Sequence, residues 1–342
     1  MHWSRVHLGL AAAGIAVAAA CVIGTETSAA TAPEPQIAIV LDVGGCPDTD
    51  TLALCEGIRR AMRRTGVHAR IVSPTFREDL ADFLSLIARQ RYAAVVLFGL
   101  YYDPQVSAVA RRYPKVPFIV MDAPRADVPN APPNVQGEVL QAREAAFLAG
   151  WLAAKLERRR PGRDVVGAVA GMRVPGVTTF LDGFVAGARR AAPRVKVLVD
   201  YSRDWVDQAK CAALARRQIA RGAGTVFNVA GACGLGTMRA AADAGIWAIG
   251  VDSDQSFLGP HVLTSVLKSF EAGFVDVFTR VKTGGLRTGR DTTLTMRDGA
   301  AGLGVISPRV PRSLVTQVRR LERRIVTGNL RVPPAPSSSH VG

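Results

Sequence analysis

The sequence lacks the short motifs by which many enzymes and metalloproteins are recognised. It has no CxxC pair or Cys/His cluster for a metal ion, no Gly-x-Ser-x-Gly nucleophile turn and no Walker loop. No aspartate cluster suited to calcium follows the first predicted strand. These absences argue against catalysis, and neither a metal nor a cofactor is expected.

The chain is also poor in acidic residues. Its 28 Asp and Glu stand against 43 Lys and Arg, which gives a formal net charge of +15. The arginines recur along predicted helices, as at 59–64 and 319–324, without interleaved aromatic residues. This pattern is typical of solvated helix faces, which an anionic membrane would attract, and no nucleic-acid binding is expected.

Long hydrophobic runs are confined to the N terminus. Residues 8–20 are apolar but too short to span a bilayer comfortably, and Arg5 precedes them. The pattern predicts a signal peptide over residues 1–20, with Cys21 lipidated as in bacterial lipoproteins. The alternative is a plain secreted protein, cut after Ala20 or near Ala30.

The remaining chain is expected outside the cytoplasm, anchored to the cell membrane or secreted. Residues 21–35 are small, polar and proline-bearing, as in a flexible tether, and residues 333–342 are predicted to be disordered. An even number of further cysteines suits an oxidising compartment. Three pairings are possible, of which Cys46 with Cys55 and Cys211 with Cys233 is favoured, and buried free thiols are the alternative.

Strands and helices are predicted to alternate along the chain, which indicates parallel sheets with helical crossovers. A proline-rich segment, 123–134, separates two such series, and a helix is predicted over 138–156. We expect an α/β protein of two doubly wound lobes joined by a multi-strand hinge. The expected boundaries are 36–124 plus 253–297 for the first lobe, and 125–252 plus 298–332 for the second.

Residues 225–254 are the most informative segment. An apolar run ends in a glycine-rich turn that begins at Gly231, an alanine-rich helix follows, and a second apolar run leads to Asp252 and Asp254. In an open parallel sheet, ligands bind at the carboxyl ends of the strands. The segment therefore predicts a small-molecule site.

Six segments in order resemble the basic membrane protein family of substrate-binding lipoproteins, which includes bacterial purine nucleoside receptors of ABC importers. They are IAIVLDVGG (37–45), REAAFLAGWLAAKL (143–156), VGAVAGMRVPGVTTFLDGFVAGA (166–188), VAGACGLG with AGIWAIGVDSDQ (229–255), VLTSVLK (262–268) and RRIVTGNLRVP (323–333). The resemblance implies a type I periplasmic-binding-protein fold with a ligand enclosed between the lobes.

The resemblance also implies roles for individual residues. Trp205 stands where the family has a base-stacking phenylalanine, and Asp252 resembles the aspartate that binds the ribose. Lys268 resembles a ligand-contacting lysine of the family. Asp103 falls near the position at which the family has the aspartate that binds the base edge. Gly231 would allow close approach of the backbone to the ligand. Asp122 is expected to support the hinge.

The segment CPDTDTLALCEG (Cys46–Gly57) departs from the family. The family has Ser-Phe-Asn here, where the Phe stacks on the base and the Asn binds its edge, and this chain has neither. Asp50 and its neighbours are candidate replacements for the polar contacts, and Tyr101 or Tyr102 for the ring. Purine specificity therefore does not follow from the family alone.

Three functions fit these features. The favoured one is a monomeric receptor that captures a small ligand, expected to be a nucleoside, and delivers it to an ABC permease and its ATPase. A sensory lipoprotein that signals to a membrane partner is the alternative. A nucleoside-acting hydrolase on the same scaffold is disfavoured by the missing catalytic motifs.

Overall fold

A computed structural model describes residues 37–42, 45–46, 52–100, 103–160 and 164–333, with side chains for nearly all of them. All of these belong to one compact unit, 34–342. The predicted roles of Cys21, Asp50 and Tyr101 lie outside the described residues. Within the described residues, no helix combines the length and the apolar character that crossing a bilayer requires.

Strands and helices alternate through most of the chain. The strands are β1 Ile37–Leu41, β2 Ala69–Val72, β3 Ala94–Phe98, β4 Phe118–Met121, β5 Val135–Leu140, β6 Val165–Ala170, β7 Lys196–Tyr201, β8 Thr225–Val229, β9 Trp247–Asp252, β10 Val262–Lys268, β11 Asp291–Leu294 and β12 Ala301–Leu303. The helices are α1 Leu52–Thr65, α2 Leu80–Arg89, α3 Pro104–Arg112, α4 Arg143–Glu157, α5 Pro175–Ala191, α6 Gln208–Ala220, α7 Gly234–Asp243, α8 Phe270–Lys282 and α9 Arg312–Val326.

The strands form two sheets of six, one in each lobe. The first sheet has the order β11-β5-β4-β3-β1-β2 and the second the order β12-β10-β9-β8-β6-β7. All described pairings are parallel except that of β10 with β12. The two lobes therefore repeat one topology, in which β1 to β5 correspond to β6 to β10.

Both faces of each sheet are covered by helices, which explains the continuous apolar strands. In β1, Ile37, Ile39 and Leu41 pack with α1 and α8, whereas Ala38 and Val40 pack with α2 and α3. The second sheet is covered by α4, α5 and α9 on one face and by α6 and α7 on the other. The doubly wound fold predicted from the sequence is confirmed.

The chain passes between the lobes after β5, after β10 and between β11 and β12. Backbone bonds tie these crossings together: Gln141 N donates to Leu294 O and Ser269 N to Ala300 O, each at 2.8 Å. The crossings form the multi-strand hinge.

The strand membership differs from the expected lobe boundaries at two places. Strand β5 lies in the first lobe and not the second, because it pairs with β4 and β11. Strand β10 lies in the second lobe, because it pairs with β9. Residues 138–140 also belong to strand β5 rather than to the predicted helix, which begins at Arg143 as α4. The proline-rich segment connects two strands of one lobe and is not the crossing point.

The favoured cysteine pairs are bonded in the structure. Cys46 joins Cys55 at the start of α1, and Cys211 of α6 joins Cys233 in the turn before α7. Each disulfide stays within one lobe.

Candidate functional site

Two adjoining cavities lie between the lobes, at the carboxyl ends of both sheets. Their volumes are about 470 and about 920 Å³. They share seven lining residues, so we describe them together as the cleft. The shared residues are Phe98, Trp205, Gly231, Val251, Asp252, Lys268 and Phe270. Four predicted site residues, Trp205, Gly231, Asp252 and Lys268, are thus brought together.

Trp205 lies in the loop between β7 and α6 and is 39% exposed. Its indole rests on two glycines at the ends of β6 and β8. A Cβ added at Gly171 would meet indole Cζ3 at 2.5 Å, and one added at Gly231 would meet Cε3 at 3.5 Å. Gly231 also has a φ of +56°, which disfavours a side chain there. The glycines allow the ring to lie against the strand ends while leaving part of its surface open to the cleft.

Asp252 ends β9 in the left-handed conformation, with a φ of +63°. Aspartate tolerates this conformation better than most residues, and such positions cluster at ligand sites. Among the described residues, no side chain or backbone group forms a hydrogen bond with its carboxylate. Its side chain is exposed to the cleft, where it is available to hydroxyl donors.

Lys268 ends the neighbouring strand β10 and links the two lobes. Its Nζ donates to Asp122 Oδ2 at 2.9 Å, and Asp122 follows β4 of the first lobe. The same Nζ lies 4.7 Å from the ring centroid of Phe180, in cation–π contact. Side-chain exposure is only 6% for Lys268 and 16% for Asp122. The hinge role expected of Asp122 therefore takes the form of an ion pair between the lobes.

Burial and charge act against each other at these groups. Burial raises the pKa of Asp122, and the Lys268 ammonium opposes that shift. Desolvation between the lobes also raises the pKa of Asp252, and the Lys268 ammonium opposes that shift, although part of this side chain remains exposed to the cleft. Burial alone would lower the pKa of Lys268, but the charges of Asp122 and Asp252 outweigh it and the pKa is raised. Lys268 is therefore a cation.

The first lobe contributes two aromatic rings that the sequence analysis did not identify. Phe98 ends β3 and Phe270 begins α8, and their rings meet edge to face with centroids 5.4 Å apart. Both line the cleft across from the second lobe. The only sequence signal for Phe98 is its position at the end of an apolar strand.

Asp103, for which a base contact is predicted, lies at the start of α3. It is the N-cap of α3, where its Oδ1 accepts from Gln105 N at 2.9 Å. Asp103 is not among the described residues that line the cleft, whereas Asp42 and Asp122 are. Both of these follow apolar strands, as Asp252 does, and that shared position is the signal by which they were identifiable.

The wider part of the cleft has a charged edge. Arg60 Nε donates to Glu271 Oε2 at 2.7 Å, and both residues line the larger cavity. Among the described residues, no group of three or more His, Cys, Asp or Glu is arranged to hold a metal.

Two doubly wound lobes with a multi-strand hinge and an aromatic, acidic cleft define a type I periplasmic-binding-protein fold. The Bmp family, described as ABC transporter substrate-binding protein PnrA-like, matches residues 39–335, and the chain belongs to this family. The resemblance inferred from the six sequence segments is thus confirmed.

The known proteins similar to this chain include substrate-binding proteins of ABC transporters. The ABC transporter nucleoside-binding protein BmpA of Lactococcus lactis is 27% identical over 350 residues, with 95% of this chain and 97% of that protein covered. An uncharacterized lipoprotein of Pyrococcus furiosus is 28% identical over 72% of this chain and 63% of its own length. A solute-binding protein of an ABC transporter system from Aeropyrum pernix has the same fold, with a TM-score of 0.71, 21% identity and coverage of 89% and 94%.

Proposed function

We propose that the protein is an extracytoplasmic receptor that captures a nucleoside in the cleft and delivers it to an ABC importer. One observation carries the proposal: a partly open indole and a carboxylate without a described hydrogen-bond partner line the same cavity. A nucleoside presents the matching pair of groups, a flat base and a ribose diol. The name of the Lactococcus lactis relative supports this ligand class.

Each end of a nucleoside has a counterpart in the cleft. The base would stack on Trp205, and stacking on an aromatic ring contributes roughly 1–3 kcal/mol per base. Phe98 and Phe270 would bound the base from the first lobe. Asp252 would accept hydrogen bonds from two ribose hydroxyls, and its charge strengthens them. Lys268, at the end of the neighbouring strand, would donate to a further ribose or base oxygen while it remains bonded to Asp122.

The proposal extends to the location of the protein. Cys21 would carry the lipid anchor, in agreement with the name of the Pyrococcus furiosus relative. Mass spectrometry of the mature N terminus tests this: a lipid-modified Cys21 is expected, and an unmodified residue 21 or 31 at the N terminus would contradict anchoring.

A thermal-shift and calorimetry panel tests the ligand class. It would comprise adenosine, guanosine, inosine, cytidine and uridine, with ribose, free bases and amino acids as controls. At a thousandfold excess over Kd, a nucleoside should add about 4 kcal/mol to the free energy of unfolding. Ribose or a free base alone should add much less, because each engages only one end of the site.

The variant Trp205→Ala should weaken binding of the best nucleoside by roughly 5- to 150-fold, from the lost stacking. The exposed Val206→Ala is the matched control in the same loop and should bind like the parent. Equal affinity of Trp205→Ala and the parent would exclude Trp205 as the base platform, and stabilisation by amino acids alone would exclude a nucleoside receptor.

A further inference from the structure

We propose that the Cys211–Cys233 disulfide is a positioning element of the ligand site, which holds Trp205 in place over Gly231 before a ligand arrives. The inference rests on the proposed role of Trp205 as the stacking surface. It concerns how the second lobe keeps an exposed aromatic ring in one orientation at the end of a glycine-rich turn.

The loop that carries Trp205 is well ordered by its own hydrogen bonds. Asp204 Oδ1 accepts from Val206 N at 2.9 Å and from Asp207 N at 3.0 Å. Asp207 in turn caps α6 and accepts from Ala209 N at 2.9 Å. These bonds fix the shape of the loop, but they do not attach its second half to the rest of the lobe.

The first half of the loop is attached to the end of β6. Ser202 N donates to Ala170 O at 2.7 Å, and Arg203 N donates to Gly171 O at 3.1 Å. Trp205 lies beyond these bonds, so a second attachment is needed to fix the position of its ring.

Cys233 provides that second attachment in two ways. Its backbone N donates to Trp205 O at 2.8 Å. Its sulfur is bonded to Cys211, which lies in the first turns of α6, directly after the Trp205 loop. The disulfide therefore joins the loop and helix on one side to the glycine-rich turn, from Gly231 to Gly236, on the other.

A covalent link restricts the backbone of the glycine-rich turn. Glycine has more backbone freedom than any other residue, and Gly231, Gly234 and Gly236 flank Cys233. Without the bond, Gly236 would still pack against Gln208 at the start of α6, and the Cys233 N–Trp205 O hydrogen bond would be the remaining backbone bond between the turn and Trp205. Both cysteines are fully buried, so the link is a permanent brace and not a switch for thiols in solution.

The first lobe supplies a matched control. Cys46 and Cys55 also form a disulfide within one lobe, and Trp205 belongs to the other lobe. Loss of either bond should lower stability, but only loss of Cys211–Cys233 should change the surroundings of Trp205.

The test compares C211A/C233A with C46A/C55A, each with and without W205F. The difference in fluorescence between the chains with and without W205F reports on Trp205 alone. In C211A/C233A the acrylamide quenching constant of Trp205 should rise at least twofold, and in C46A/C55A it should equal that of the parent. The best-binding nucleoside among adenosine, guanosine, inosine, cytidine and uridine should bind C211A/C233A at least tenfold more weakly than the parent.

Unchanged quenching of Trp205 in folded C211A/C233A would overturn the inference, whatever the affinity. If that variant does not fold, C211V/C233A retains more of the buried volume, and hydrogen exchange of the unaltered chain needs no variant. The Cys233 amide should be protected without ligand, and exchange there as fast as in an unfolded chain would overturn the brace. Quenching and exchange require no ligand, so they distinguish failure of the brace from failure of Trp205 as a base platform.

Discussion

Each lobe has an aspartate at the same point of the shared topology, but the contacts of the two carboxylates differ. Asp122 follows β4 and Asp252 ends β9, the corresponding strand, and both have a φ of +63°. Asp122 is bonded to Lys268 of the other lobe, whereas the Asp252 carboxylate has no hydrogen-bond partner among the described residues. A repeated strand-end position thus serves the hinge in one lobe and remains available for a ligand in the other.

Lys268 interacts electrostatically with the aspartates of both lobes. It lies between the two carboxylates, and their charges raise its pKa in spite of burial. Lobe closure around a ligand must keep this ammonium compensated, since an unpaired charge in a buried site is costly. Asp122 supplies that compensation before a ligand is bound.

Removing the lysine should have the largest effect. Lys268→Met leaves Asp122 largely buried without its cation, and breaking a buried pair in this way costs about 3–5 kcal/mol of unfolding free energy. Urea denaturation measures the loss. The double variant D122N/K268M should recover much of the stability, because neither charge then remains unpaired. Equal stability of Lys268→Met and the parent would show that the ion pair does not stabilise the fold.

The two aspartates should respond in opposite ways to neutral substitution. Asp252→Asn should weaken nucleoside binding by about 1.5–3 kcal/mol, the contribution of hydrogen bonds to a charged group, and should not lower stability. Asp122→Asn should lower stability, because Lys268 loses its bonded partner, although Asp252 remains nearby. Calorimetry and urea denaturation of both variants test this contrast, and the same ranking in both measurements would contradict it.

The pKa of Asp252 adds a pH dependence to binding. Only the ionised carboxylate accepts from both ribose hydroxyls, and its pKa is raised. Affinity should therefore fall as the pH is lowered towards that pKa, and Asp252→Asn should remove this fall. A parent affinity that is constant between pH 4 and pH 8 would exclude Asp252 as an ionised ligand contact.

The fold was predictable from sequence where burial dominates, and less so where polar groups are buried. Strands such as β1 and β3 are apolar throughout because helices cover both their faces, and this is visible locally. Strand β5 contains Gln136 and Glu138, which obscured the strand pattern. Gln136 and Glu138 bond to each other, but their other partners Thr292 and Arg280 lie more than a hundred residues away, so the local sequence does not explain these polar residues.

At the site, too, contacts between distant segments left no local signal in the sequence. Gly231, Asp252 and Lys268 were found because they stand in segments that resemble the family, and Trp205 because it stands where the family has a base-stacking phenylalanine. The edge-to-face pair of Phe98 and Phe270 joins residues from distant segments, and Gly171 beneath the indole has no local signature. Contacts made by the tertiary structure alone could not be predicted from a single sequence.

The expected effect that is smallest per pH unit concerns one buried glutamate in each lobe. Burial is the main cause that raises the pKa of Glu138 in the first lobe to about 8 and that of Glu157 in the second to about 7. The folded protein then keeps protons that the unfolded chain releases near pH 4.5. The free energy of unfolding should therefore fall as the pH rises through this range, by at most about 1.4 kcal/mol per pH unit for each proton.

Thermal unfolding of E138Q and E157Q at several pH values separates the two lobes. In E138Q the free energy of unfolding should fall less steeply with rising pH up to about pH 8, and in E157Q only up to about pH 7. Each variant removes one of the two titrating carboxyl groups. Arg280 keeps Asp276 as a partner in E138Q, at 2.6 Å, so the variant should still fold. Parallel stability curves for the parent and both variants would mean that neither glutamate holds its proton in the folded protein. Arg280, which is paired with Glu138, and Arg160, which lies 3.6 Å from Glu157, would then compensate the ionised carboxylates in full.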